Sequence, residues 1–122
     1  MSQDEIRSVR PTVADLATIP AVRCPCGWAR RAFGDVVGAP ASLHRVEIEA
    51  DSRTHYHRGQ TEIYYVLECD AGAAVELDGE RVAVRPGVAV LIPPGVRHRA
   101  VGRMTILNVV VPPFDPHDEW LA

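Results

Sequence analysis

Four residues with metal-binding side chains lie in two short segments of the chain. The first segment carries His55, His57 and Glu62, and the second carries His98 just after a Pro-Pro-Gly turn. Three neutral imidazoles and one carboxylate are a complete ligand set for one divalent metal. Such a set leaves coordination positions open, and a substrate would bind there. The sequence therefore predicts a metal site.

The spacing of these residues indicates how strands would position them. His55 and His57 are two residues apart, so they share a face on a strand and diverge on a helix. Glu62 is at an odd offset from His57, and the turn residues 58–61 would return it on a neighbouring strand. His98 follows its turn and starts a strand of its own. The four ligands are thus predicted on three adjacent strands.

Short strands separated by turns make up most of the chain. The candidate strands are Leu43–Ala50, Thr54–His57, Glu62–Glu68, Ala74–Leu77, Arg81–Val84, Val88–Ile92, Arg97–Val101 and Thr105–Val111. The dipeptide Asp78-Gly79 is the strongest hairpin signal among the turns. A short helix is predicted near Thr12–Thr18, capped by Thr12 and ended by Pro20. About eight short strands at this spacing favour an all-β sandwich or barrel.

Composition limits the classes of partner and the cellular location. A chain of 122 residues with 47% hydrophobic residues suits one domain with a real core. The net charge of −3, without a basic tract, predicts no nucleic-acid partner and no membrane surface. The acidic start at residues 1–5 predicts no signal peptide, and no apolar run is long enough for a membrane span. We expect a cytoplasmic protein whose cysteines, Cys24, Cys26 and Cys69, are thiols.

The two segments resemble the two motifs of the cupin superfamily. The first cupin motif reads Gly, five residues, His-x-His, three or four residues, Glu, six residues and Gly, and this chain matches it at His55, His57 and Glu62. The second reads Gly, five residues, Pro-x-Gly, two residues, His, three residues and Asn. Its matches are Gly87, Pro93, Gly95 and His98. The motif positions that differ, Glu49, Cys69 and Gly102, are not ligand positions.

The resemblance implies a fold, a cofactor and an assembly. The fold is an all-β double-stranded β-helix, the jelly-roll or cupin barrel, with a short irregular or helical N-terminal segment. Residues 1–40 would be an N-terminal extension packing on the barrel, residues 41–112 the jelly-roll domain and residues 113–122 a C-terminal tail. The four matched residues would bind iron, manganese, zinc, nickel, cobalt or copper. The family also implies a homodimer.

Cupins include dioxygenases, isomerases and lyases, and also proteins that bind ligands without catalysis. We therefore predict a small-molecule metalloenzyme with dioxygenase or isomerase/lyase chemistry, and the alternative is a non-catalytic, metal-containing ligand-binding cupin. Tyr64 lies two residues past Glu62 and should face the same cavity. A nearby metal would lower its pKa, and it would act as a general acid or base, as in cupin lyases with a similar Glu-x-Tyr pair. Otherwise Tyr64 only lines the barrel.

Two arginines, Arg45 and Arg53, lie near the expected mouth of the barrel. They are predicted either as solvated charges or as contacts for an acidic substrate. His44 is interpreted as a strand histidine, and Phe114 and Trp120 as anchors that hold the tail on the surface.

Overall fold

Alternating burial defines the two strands at the centre of the fold. Along Ser42–Ile48, residues 42, 44, 46 and 48 are buried and the residues between them are more exposed. Along Thr61–Cys69, residues 62, 64 and 66 are buried in the same way. Each strand therefore turns one face to the interior. The computed structural model describes residues 9–122. The acidic start lies outside the described residues.

Residues 9–122 contain eleven strands, which form two antiparallel sheets. The strands are β1 (Val22–Cys24), β2 (Gly27–Ala32), β3 (Ser42–Ile48), β4 (His55–Tyr56), β5 (Thr61–Cys69), β6 (Ala74–Leu77), β7 (Glu80–Ala83), β8 (Ala89–Ile92), β9 (His98–Val101), β10 (Met104–Val111) and β11 (Trp120–Leu121). One sheet has six strands in the order β1-β2-β3-β10-β5-β8, and the other has five in the order β11-β4-β9-β6-β7. The predicted all-β jelly roll is confirmed.

The predicted strands agree with the observed ones to within two residues at every boundary. Three strands were not predicted: β1, β2 and β11. β1 and β2 come from the segment assigned to an N-terminal extension, and they continue the six-stranded sheet beyond β3. β11 comes from the tail and pairs with β4. Both ends of the described chain thus contribute strands to the barrel.

The helix predicted near Thr12–Thr18 is wrong in extent and cap. Only a 3-10 turn at Leu16–Thr18 is present, and it begins at Asp15, whose side chain accepts a hydrogen bond from the Ala17 N–H. Asp15 is a strong capping residue, so the turn starts there rather than at Thr12. A second 3-10 turn spans Pro116–Asp118. No helix among residues 9–122 is long and apolar enough to cross a membrane.

The cysteine prediction is wrong for two of the three residues. Cys24 and Cys26 form a disulfide, and Cys69 is free. The tight connection from β1 to β2 brings the two Cα atoms to 5.2 Å, a separation that a disulfide spans readily. Gly27 follows with a positive φ, and a Cβ there would lie 2.4 Å from the Glu47 carbonyl oxygen. The close approach of this hairpin to β3 therefore requires glycine.

The inner face of the six-stranded sheet carries two rows of side chains with opposite character. Strand register aligns the apolar row, which consists of Ala29, Val46, Ile106 and Val66. Two residues further along the same four strands, register aligns the polar row, which consists of Arg31, His44, Asn108 and Tyr64. The apolar row belongs to the hydrophobic core. The polar row lies at the end of the barrel that carries the histidines.

Candidate metal centre

The structure brings together the four residues that the sequence predicts as ligands. One ligand atom from each of His55, His57, Glu62 and His98 lies within 4.8 Å of all the others. All four side chains are buried, with at most 6% of any residue exposed. The cluster therefore lies inside the barrel.

The predicted arrangement of three adjacent strands is wrong, because the cluster spans both sheets. His55 on β4 and His98 on β9 are directly paired in the five-stranded sheet. Glu62 lies on β5 in the six-stranded sheet. His57 lies just after β4, where the chain crosses between the sheets. Residues 58–61 therefore carry the chain across the barrel rather than to a neighbouring strand.

Backbone carbonyl groups orient all three imidazole rings. The Nδ1 atoms of His55, His57 and His98 lie 2.8, 2.6 and 2.9 Å from carbonyl oxygens. These oxygens belong to Arg53, Asp118 and Val96 respectively. A carbonyl oxygen only accepts, so each Nδ1 carries the proton. Each ring then turns an unprotonated Nε2 into the cluster, which is the arrangement that metal-binding histidines adopt.

The donor set fits a cation. Nε2 of His57 and Nε2 of His98 lie 3.0 and 2.9 Å from Oε1 of Glu62. All three atoms are buried and have no hydrogen-bond partner among residues 9–122. With protons on Nδ1, these lone pairs face a carboxylate oxygen, so acceptor faces acceptor. A positive ion at their centre satisfies all of them at once.

The charges of the cluster are strongly coupled. Burial acts to raise the pKa of Glu62, but His57 and His98 outweigh burial and hold it far below its usual range. Burial acts to lower the pKa of His57, and Glu62 raises it above the ordinary value. Burial, with the nearby His98, lowers the pKa of His55 to about 4. A second proton on His57, at Nε2, would offset the charge of Glu62 in the metal-free protein, so protons and a metal ion compete for the same atoms.

Asn108 and Asp118 hold the ligands in place, and the sequence prediction missed both. The Asn108 amide donates to Oε2 of Glu62 and leaves Oε1 facing the histidines. Asp118 supplies the carbonyl for His57, and its carboxylate accepts the backbone N–H groups of Arg58 and Gly59. Asn108 is three residues from the end of β10, with no local motif around it. Asp118 follows Pro116 in a capped turn of the tail.

Tyr64 lies where the sequence predicted, beside the cluster. It is 3% exposed, and its ring centroid is 6.1 Å from that of His98. Burial, reinforced by Glu62, raises the pKa of Tyr64 well above 10, whereas a lowered pKa was expected. The hydroxyl group therefore keeps its proton at neutral pH in the metal-free protein.

A cavity of about 640 Å³ opens between the β1–β2 hairpin and the tail. Arg53, Glu119 and the Cys24–Cys26 disulfide line it, and none of the four clustered residues does. Burial raises the pKa of Glu119, while His57 and Arg31 act to lower it. Glu119 thus lines the cavity, and its charge acts on those of His57 and Arg31.

The remaining predicted side chains separate by face. Arg45 lies on the outer face of β3 as an exposed charge, 3.9 Å from Glu47. Arg53 is exposed at the cavity. His44 is a buried strand residue, 2.9 Å from the Ser42 hydroxyl. In the tail, Phe114 packs edge-on against His44 and Trp120 contacts Arg58.

Comparison with known proteins gives a family match and several similar folds. The family model described as "Cupin domain" matches residues 42–111. A crystal structure of a protein from Planctomyces limnophilus is 51% identical, with 92% of this chain and 97% of that chain covered and a TM-score of 0.88. A comparison with curated protein sequences gives no match.

Two structures of lower identity have the same fold. Streptomyces Pac13, described as a nucleoside dehydratase, is 18% identical over 93% of this chain and 92% of its own, with a TM-score of 0.76. Ectoine synthase from P. lautus is 20% identical over 92% of this chain and 90% of its own, with a TM-score of 0.74. At this identity the similarity shows the fold alone.

Proposed function

Because the chain belongs to the cupin family, we propose that it is a metal-dependent enzyme that acts on a small molecule. One observation carries the proposal: the buried Nε2 atoms of His57 and His98 have no hydrogen-bond partner and lie beside one buried carboxylate oxygen of Glu62, with His55 in the same cluster. A purely structural core has no reason to retain such a group, because unsatisfied buried acceptors destabilise the fold.

His55, His57, Glu62 and His98 would hold one divalent transition metal ion. Nitrogen and oxygen ligands of this kind suit iron, manganese, zinc, nickel, cobalt and copper, and the donor set does not choose among them. When bound, the ion supplies Lewis-acid polarisation of a substrate oxygen, or a binding site for dioxygen, at its open positions. Asp118 and Asn108 would keep His57 and Glu62 in their orientations.

Among the predicted reaction types we favour isomerase or lyase chemistry over a dioxygenase. Such reactions need groups that move protons; Tyr64 lies beside the cluster, and Glu119 lines the cavity. The raised pKa of Tyr64 keeps its hydroxyl protonated, so Tyr64 would donate a proton as a general acid. Glu119 reaches the cavity and would accept one.

Metal analysis tests the site. We expect the purified protein, or the protein reconstituted with the metals above, to bind about one equivalent. His57→Ala should abolish this binding, because the site then lacks one imidazole and its orientation by Asp118. His117→Ala is the matched control, since His117 is exposed in the tail, and it should bind metal like the wild type. A wild-type protein without bound metal after reconstitution would refute the proposal.

Turnover separates the reaction types. A panel of small polar molecules would be incubated with the metal-loaded protein under nitrogen and under air, with products followed by NMR. We expect turnover without oxygen uptake, and a loss of about 10²- to 10⁴-fold in Tyr64→Phe. Tyr65→Phe is the control, because Tyr65 lies next along β5 on the exposed outer face. Turnover that consumes oxygen would instead establish a dioxygenase.

The non-catalytic alternative has one observation in its favour. None of the four clustered residues lines the cavity, and each is almost fully buried. A metal held there without access would stabilise a ligand-binding barrel and perform no reaction. Specific binding of a small molecule without turnover under either atmosphere would support this alternative.

The homodimer and the cytoplasmic location stay predictions. A contiguous outer patch favours the dimer: Ile63, Tyr65 and Leu91 are 38%, 45% and 63% exposed, and Ile63 and Leu91 are paired in register. Burial of such a patch between two copies would stabilise an assembly. Light scattering of the wild type and of Leu91→Glu checks this, and a wild-type monomer would contradict it.

A further inference from the structure

Arg31 carries a charge that is only partly exposed to solvent and that has no ion-pair partner among the described residues. It lies on the inner face of β2, in the polar row next to His44. Its Nε atom is buried without a hydrogen-bond partner among residues 9–122, and no acidic side chain of that range forms an ion pair with it. A partly buried guanidinium whose Nε–H lacks an acceptor is unfavourable. Such a group is typical of an anion-binding site.

Aromatic and hydroxyl contacts fix the position of this guanidinium. Its carbon lies 3.9 Å from the centroid of the Phe114 ring, a cation–π contact. The Phe114 ring packs edge-on against His44, with centroids 5.4 Å apart, and the Phe114 N–H donates to the Ser42 hydroxyl. Arg31 therefore does not need to be ordered when a ligand binds, and preorganisation of this kind favours binding.

The surroundings favour a carboxylate over a phosphate. Glu62 and Glu119 both act on the charge of Arg31, so further negative charge at this end of the barrel is repelled. A single guanidinium matches the planar, singly charged carboxylate with two parallel hydrogen bonds. A doubly charged phosphate would meet one cation and two nearby carboxylates.

Neighbouring acceptors favour a ligand that also carries a hydrogen-bond donor. The Asn108 side-chain carbonyl is buried without a partner, as is that of Gln60. His44 on β3 pairs in register with Arg31 on β2 and with Asn108 on β10. Asn108 therefore lies in the same row as Arg31, two strands away. A hydroxyl or amino group on the ligand would satisfy such an acceptor.

We propose that Arg31 binds the carboxylate group of the substrate, and that the substrate is a small organic acid. This inference rests on the proposed function, because it places the carboxylate beside the metal cluster. Arg31 would orient the molecule with its reacting atoms towards the metal cluster.

Ligand-observed NMR titrations test the inference. The probes are glycolate, its uncharged analogue glycolamide, and methyl phosphate, each added to the zinc-loaded and to the metal-free protein. The variants are Arg31→Gln and Arg31→Lys, and Arg45→Gln is the matched control, since Arg45 lies on the neighbouring strand and on the outer face. We expect wild type to prefer glycolate. Arg31→Gln should weaken glycolate binding by about 30-fold or more.

Arg31→Lys keeps the charge but not the two-pronged geometry, so it should lie between wild type and Arg31→Gln. It also serves if Arg31→Gln fails to fold. Arg45→Gln should bind glycolate within about twofold of wild type. Three results would overturn the inference: no glycolate binding by wild type, equal binding of glycolamide or methyl phosphate, or unchanged glycolate binding in both Arg31 variants.

The two proposals fail in different measurements. A protein that binds glycolate through Arg31 but binds no metal refutes the metal site and keeps the carboxylate site. A protein that binds one metal ion but discriminates none of the probes keeps the metal site and refutes the role of Arg31.

Discussion

The apolar row and the polar row lie on the same four strands, only two residues apart, yet they differ in how well their atoms are satisfied. The apolar row contains aliphatic side chains that are at most 1% exposed and pack in the core. The polar row and its surroundings contain buried atoms without partners, on Arg31 and on Asn108. The same four strands thus carry one row that is well packed and one row in which buried polar atoms lack hydrogen-bond partners.

The difference shows where stability and chemistry are located. A β-sheet can change character within two residues, because register aligns side chains in rows across the strands. Unsatisfied polar groups persist in native proteins mainly where they serve a function, and other parts of the fold offset their effect. The apolar row offsets the polar row here. Four measurements, from the largest effect to the smallest, test this contrast.

Truncation in the apolar row should give the largest loss of stability. Ile106 is fully buried between Val46 and Val66. Ile106→Ala should lower the free energy of unfolding by about 2–5 kcal/mol, because it removes buried methyl groups and leaves a cavity. Urea unfolding in the presence of a chelator measures this. Ile63→Ala on the outer face of β5 is the control, and an equal loss there would contradict the assignment of the core.

The polar row should make stability depend on pH through His44. Burial, together with Arg31, lowers the pKa of His44 from 6.5 to about 4. Between these values the unfolded chain binds a proton that the folded protein does not, so stability falls as the pH drops through this window. Between pH 6.5 and 4, the free energy of unfolding of His44→Gln should fall by about 3 kcal/mol less than that of the wild type.

Unfolding curves of metal-free protein at several pH values measure this difference. His117→Gln is the control, because His117 is exposed, and it should follow the wild type. Parallel pH profiles for wild type and His44→Gln would show that the buried ring is not neutral in the folded state.

Loss of the Asp118 carboxylate should weaken metal binding without touching a ligand. Its bonds to the Arg58 and Gly59 N–H groups hold the carbonyl that orients His57. Asp118→Ala should lower zinc affinity by about 10- to 100-fold, measured by competition with a chromophoric chelator. Asp70→Ala, which removes a surface ion pair with Arg103, should leave affinity unchanged. Equal affinities in all three proteins would remove Asp118 from the site.

The smallest effect is expected at Arg31, although it lies in the interior. Arg31→Met should change the free energy of unfolding by less than about 1 kcal/mol, because it removes a partly buried charge that has no ion-pair partner and keeps most of the side-chain volume. Urea unfolding checks this. A loss as large as that of Ile106→Ala would show that the guanidinium is structural and that the two rows do not differ.

The clustered residues were predictable because their signal is local. The spacing of His55 and His57 sets one strand face, and the turn before His98 sets the start of β9. The path between the sheets was not predictable from spacing. A tight turn to a neighbouring strand and a crossover to the other sheet would both allow Glu62, at an odd offset from His57, to face the interior. The strands from residue 42 onwards alternate in burial, so their period was visible in the sequence.

The role of Arg31 was hidden because it depends on register. In Gly27–Ala32 the exposure does not alternate cleanly, and the adjacent residues Arg30 and Arg31 are similarly exposed although they have different contacts. Arg30 donates to carbonyl groups of the N-terminal segment, whereas Arg31 lies beside His44. Only pairing with β3 distinguishes them. The thiol prediction failed similarly, because it rested on the expected cellular location and not on the turn between Cys24 and Cys26.

The bond between the His57 ring and the Asp118 carbonyl joins residues 61 positions apart. Protein synthesis therefore completes all four clustered side chains before it reaches the residue that orients one of them. A nascent chain that has not yet released Asp118 from the ribosome carries the full set of donor atoms with an unoriented His57 ring. Under the proposed metal binding, tight capture of an ion would therefore follow the emergence of Asp118, with folding first and loading second.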